Sequence, residues 1–200
     1  MTEPEVFILA DQALNKVVGQ IKDGQWGMEM PPEFTRHQPD KATLRTIINY
    51  HTYDDAWVPD IMAGKTMDEA GKTKFDGDLL GKDPQASFAK YVETACAAVQ
   101  ALSGDDLDRV AHLSYGDFPV REYLQHISYF RGLRVYDISK VIGVDTTLPD
   151  DLVKGLWAML SPHADEWRKM GVFPPEVKVP NDANIQDKLL GLTGRQPQNG

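Results

Sequence analysis

A single cysteine, Cys96, stands in the 200 residues, so no disulfide can form within the chain. Positive charge is also scarce. Twenty-one Lys and Arg face thirty Asp and Glu, a net charge of −9, and such a surface does not suit a phosphate backbone. No nucleic-acid partner is therefore expected. Apolar runs are short, and none approaches the roughly 18 residues that a membrane span requires. The opening MTEPEVFILADQ lacks the basic start and apolar run of a secretory leader. A cytoplasmic protein with no membrane partner is the expectation. Strand patterning is nearly absent, and no repeat occurs at solenoid periods. The motifs HExxH, CxxC, GxSxG, the P-loop and GxGxxG are missing as well.

What the sequence has in quantity is amphipathic helix. An apolar fraction of 42% supports a sizeable core. The expected organisation is a helical bundle over residues 1–170, followed by an extended tail and short helix over 171–200. The first helix is expected over 3–23, with Thr2 and Glu5 at capping-box spacing and a stripe of Phe7, Ala10, Leu14, Val17 and Ile21. Residues 24–39 read as a long loop. A second helix over 41–62, capped by Asp40, carries Leu44, Ile47, Ile48, His51, Asp55, Val58 and Met62 on one face. Residues 63–83 form a second long loop with at most a turn of helix. The pair Asp83-Pro84 starts a third helix that ends near 102. Residues 105–118 read as a polar connector, with Asp117 the cap of a fourth helix closed by Gly143. A fifth begins near Pro149 with Thr147 as cap and breaks at Ser161-Pro162. FPPEVKVP reads as extended. Ile185, Leu189 and Leu190 anchor a last short helix, and GRQPQNG frays.

Two stripes are interrupted at mid-length. On the second helix the interruption is His51 and Asp55, with Asp54 toward the edge of the same face. On the fourth helix it is Arg131 and Arg134. Buried charge is tolerated only when paired, and a guanidinium fork matches a carboxylate. The midpoints are expected to face each other. Either they form a structural ion pair that fixes helix register, or they line a pocket in which the arginines hold an acidic ligand and His51 acts as acid, base or metal ligand. Among the other histidines, His126 is expected at the surface or at a helix boundary, His112 and His37 lie in connectors, and His163 continues roughly on the inner face but sits beside a proline break. Cys96 reads as an inert thiol beside an apolar stripe.

These residues resemble the helical-bundle superfamily that includes the mycothiol-dependent maleylpyruvate isomerases and DinB-like proteins. NYHTYDDAWVPDIMAG looks like the family helix that carries a metal-binding histidine, with His51 at the matching position. RVYDISKVIG looks like the family segment H-x-x-D-L-A-x-x-x-G, with Asp137 and Gly143 matching. The tail WRKMGVF…VKVPNDANIQDKLLGLTGR is similar to the end of an actinobacterial branch. The resemblance implies an all-α, DinB-like four-helix bundle with long interhelical loops, an additional C-terminal helix and an extended tail. In the family two further metal ligands stand four residues apart on the fourth helix, and here those positions hold Phe130 and Arg134. Phenylalanine has no donor atom, and arginine stays protonated.

The expected function is binding of a small acidic molecule in a central pocket. His51 and Arg134 are the candidate catalytic residues, and Asp54, Asp55, Phe130 and Arg131 the ligand-contacting ones. No cofactor is expected. The first alternative is a thiol-dependent isomerase or transferase, using zinc or nickel at His51 with a low-molecular-weight thiol and with Asp54, Asp55 or His163 as substitute ligands. The second is a non-catalytic bundle locked by the Asp–Arg group. A homodimer is compatible with either.

Overall fold

Proline in the first turn and a carboxylate folded back on the cap start the first helix. The Thr2 amide donates to the Glu5 carboxylate at 2.7 Å, and Pro4 gives up an amide the first turn cannot use. The computed structural model describes residues 1–31 and 42–197. Its helices are α1 (Glu3–Val18), α2 (Leu44–Met62), α3 (Met67–Ala70), α4 (Pro84–Gln100), α5 (Val120–Ile142), α6 (Asp150–Leu160), α7 (Ala164–Lys169) and α8 (Ile185–Leu192). A hairpin of β1 (Val110–Leu113) and β2 (Gly116–Pro119) stands between α4 and α5. The chain is thus mainly helical, as its periodicity predicts. Among the described residues no helix is long and apolar enough to cross a membrane.

The four long helices form an incomplete ring. α1 packs along both α4 and α5, α2 packs along α4, and α2 scarcely touches α5. The order around the ring is α2–α4–α1–α5, with an open seam between its ends. One apolar cluster runs through α1, the start of α2, the C-terminal half of α5 and α6 to α8. A second joins Trp57, Val58 and Ile61 of α2 to Val99 of α4 and to Val120, Leu124 and Ile127 of α5. The hairpin stands beside this second cluster, with Ala111 buried in it.

Several boundaries differ from the sequence expectation, each for a local reason. α1 stops at Val18, because Gly19 and Gln20 turn back onto Asn15 and Val17 through their amides at 2.9 Å each. Ile21 stays buried beyond the helix end. α2 starts at Leu44, where the Thr43 hydroxyl accepts from the Thr46 amide at 3.2 Å. Asp40, the second half of the first long loop (32–39) and with it His37 lie outside the described residues. Residues 110–119 are not a connector. Leu113 pairs with Gly116 across the two-residue loop Ser114–Tyr115, and Gly116 takes φ 138°, a value only glycine adopts freely. Asp117 therefore belongs to a strand, where it meets His112 Nδ1 at 2.9 Å, and Pro119 is the residue before α5. Thr147 does not cap α6 either. Its amide and hydroxyl donate to Asp145 at 2.9 and 2.8 Å, and the helix begins after Pro149.

The C-terminal segment is tied down rather than frayed as far as residue 197. Leu189 and Leu190 are fully buried, whereas Ile185 is 38% exposed and anchors nothing. The Val177 amide donates to the Gly191 carbonyl at 2.9 Å. Arg195 donates from Nε and Nη2 to the two oxygens of the buried Asp137, at 2.8 Å each. The Tyr136 hydroxyl donates to the Gln196 carbonyl at 2.8 Å.

Candidate functional site

Arg131 lies at the centre of the bundle and has no solvent exposure. Its Nε donates to Asp55 of α2 at 3.0 Å, and Nη2 contacts the same carboxylate. Nε also contacts Asp11 of α1, and Nη1 donates to the Ile127 carbonyl at 3.3 Å. The guanidinium further lies 5.5 Å from the Phe7 ring centroid. One cation thus joins three helices by two buried carboxylates. Burial raises the pKa of Asp11 well above the usual carboxylate range, against the pull of Arg131, and it raises Asp55 in the same way. One proton shared by the two acids makes the group neutral, and without it the group is negative. In neither state is it a free positive charge.

Above this group lies a cavity of about 490 Å³ in the seam between α2 and α5. Arg131 contributes to its floor. Tyr53, Asp54, Trp57 and Ile61 line it from α2, and Glu122, Tyr123, His126, Ile127 and Phe130 from α5. The hairpin adds Tyr115 and Phe118, and α7 adds Trp167. The aromatic rings form two walls held edge to face. Tyr53 meets Trp57 at 6.1 Å, and Trp57 meets Phe75 at 5.0 Å. Opposite them, the His126 ring lies 5.3 Å from Phe118 and 5.2 Å from Trp167, and Trp167 lies 6.4 Å from Phe130. The Trp57 indole nitrogen is buried without a hydrogen-bond partner among the described residues.

The structure separates residues that the sequence expectation groups together. Arg131 and Arg134 do not form one clamp. Arg131 is spent on Asp11 and Asp55, while Arg134 lies away from the cavity and reaches Asp137 at 3.5 Å, beside the Asp137–Arg195 pair. Burial lowers the Arg134 pKa, and Asp137 opposes it. His51 is 6% exposed and does not line the cavity. Its Nδ1 has no partner among the described residues, and burial, Arg134 and Arg131 together hold its pKa well below the ordinary value, which leaves the ring neutral. Phe130 does line the cavity and is 40% exposed at its rim. Asp54 lines it too, and its carboxylate makes no hydrogen bond or salt bridge with any described residue. Desolvation by the surrounding protein pushes the Asp54 carboxyl up to about 6, while Arg131 pulls it down; its exposed surface tempers the effect.

A metal does not fit the positions that the resemblance names. His51 offers one imidazole, Phe130 none, and the Arg134 guanidinium is bound to Asp137. Among the described residues no three His, Cys, Asp or Glu side chains gather as a ligand set. His163, a possible substitute, is exposed and lies 3.5 Å from Glu166. Cys96 lies within reach of the charges of the Asp11–Arg131–Asp55 group, and burial pushes its thiol up to about 12 with Asp11 and Asp55 adding to the shift.

Three features of the site escape the sequence reading. Asp11 is four residues after Phe7 and three before Leu14, inside the apolar arc of α1, and that placement was the available signal. His126 faces the cavity rather than the surface because the hairpin and α7 close around it. Tyr115 and Phe118 reach the site only through the hairpin. No protein-family model, curated protein or solved structure matches this chain.

Proposed function

We propose that this chain is a DinB-like helical bundle that binds a small molecule in the aromatic cavity between α2 and α5, without the metal set its sequence resemblance implies. The observation that carries this reading is the cavity itself. At about 490 Å³ it falls within the usual range for ligand sites, its walls are mainly apolar, and a few polar groups converge on it. It also occupies the one seam of the ring where two long helices fail to pack. A bundle under selection for stability alone gains by filling such a seam.

The Asp11–Arg131–Asp55 group has a separate task in this reading. It holds three helices in register beneath the cavity, and its arginine has no charge to spare for an acidic ligand. The clamp of two arginines is accordingly not part of the proposal. Binding is tested with N-phenyl-1-naphthylamine, an uncharged dye whose emission rises in apolar surroundings. Wild-type protein should enhance and blue-shift the emission. Ile127→Trp, which fills the cavity, should abolish that response with its thermal melt still cooperative, and Arg134→Ala should retain it. A response lost in Arg134→Ala and kept in Ile127→Trp would place the binding site elsewhere.

A further inference from the structure

The cavity reading leaves open which small molecules enter, and the charges on its walls narrow the class. We propose that the preferred ligand is an organic cation, a small molecule with a quaternary or fully substituted ammonium group next to an apolar body. The inference rests on the cavity being a binding site. Three observations carry it.

The first is the balance of charge. Asp54 comes from α2 and Glu122 from α5, and both line the cavity. The Asp54 carboxylate feels Arg131 only at a distance and makes no side-chain hydrogen bond or salt bridge among the described residues, and Glu122 lies 3.6 Å from His126 Nε2, too far for a hydrogen bond. Arg131 is the single Lys or Arg among the described lining residues, and two carboxylates already answer it. An anionic ligand would meet two carboxylates and no available cation.

The second is the character of the walls. Tyr53 and Trp57 stand on one side, with Phe118, Phe130 and Trp167 on the other. Aromatic faces attract a cation through the ring quadrupole, and most strongly where water is excluded. The third is the mainly apolar lining. Besides Asp54 and Glu122 its side-chain oxygens are the hydroxyls of Tyr53, Ser114, Tyr115 and Tyr123, spread over α2, α5 and the hairpin, so an ammonium with several N–H groups would lose more hydration than it regains in hydrogen bonds. A substituted ammonium has few or none to lose.

The test displaces N-phenyl-1-naphthylamine from wild-type protein with three compounds of similar shape. Benzyltrimethylammonium is the cation, neopentylbenzene its uncharged isostere, and phenylacetate the anion. The cation should displace the dye at a concentration at least about tenfold lower than either of the others. Asp54→Asn should remove most of that advantage, each compound's displacement being referred to the variant's own affinity for the dye. Equal displacement by cation and isostere overturns the charge argument and leaves the cavity reading standing. Preference for phenylacetate overturns it in favour of an acidic ligand. Failure of the dye itself to bind wild-type protein defeats the underlying cavity reading.

Discussion

Replacing Arg131 with methionine keeps much of the side-chain volume and removes the charge that joins α1, α2 and α5. Asp11 and Asp55 are then left buried, each with no solvent exposure and no counter-charge. Removing one partner of a buried ion pair typically costs about 3–5 kcal/mol, because the remaining charge stays desolvated. With a urea slope of about 2 kcal/mol/M, the unfolding midpoint should fall by roughly 2 M. The measurement is equilibrium urea unfolding followed by circular dichroism at pH 8. At pH 5 the loss should be smaller, because carboxyls whose pKa is already raised can be neutralised by protons. Replacing all three members with apolar residues (Asp11→Leu, Asp55→Leu and Arg131→Met together) should recover most of the loss, since nothing charged is left behind. A midpoint within about 0.5 M of wild type for Arg131→Met at pH 8 would refute the reasoning.

Other consequences follow from the same structure. Because burial raises the Asp11 pKa in the folded protein, Asp11 contributes stability below its unfolded value, about 3.9, and loses it as pH rises through the folded value. The stability of wild type relative to Asp11→Asn should therefore decline from pH 4 upward, measured by urea unfolding across the range. His51 behaves in the opposite sense. Its lowered pKa means that its neutral form supports the fold above the unfolded value, about 6.5, and that this support is lost as pH falls toward the folded value. His51→Gln should flatten that part of the acid limb. At Gly191 an added Cβ would stand 2.5 Å from the Val177 carbonyl oxygen, so Gly191→Ala should cost about 1–3 kcal/mol and loosen the tail, read by hydrogen exchange at the Val177 amide. Arg195→Ala should destabilise the same segment, because Asp137 loses its two-pronged partner.

Much of the helical frame is legible in the sequence. The stripes of α1, α2, α4 and α5 and the Asp83-Pro84 start recur in the structure because helical period and capping chemistry are local properties. The hairpin is missed because its strands are four residues each and its turn contains neither Asn-Gly nor Asp-Gly. The meeting of Asp55 with Arg131 follows from two interrupted stripes, whereas the parting of Arg131 and Arg134 does not. Three residues apart on one helix, they differ by only about 60° in direction, and their partners decide the rest. Asp11 comes from the first helix, whereas Asp137 is itself held by Arg195 near the other end of the chain. Likewise the aromatic cavity is assembled from α2, α5, α7 and the hairpin, so no single window of sequence displays it.

The position of a bound ligand is decisive. Crystals soaked in 4-bromobenzyltrimethylammonium would settle this, since bromine can be located by its anomalous scattering. The prediction is one bromine peak between α2 and α5, among Trp57, Phe130 and Trp167, with the ammonium turned toward Asp54. A peak beside Arg134 and Asp137, or on the outer surface alone, would contradict it.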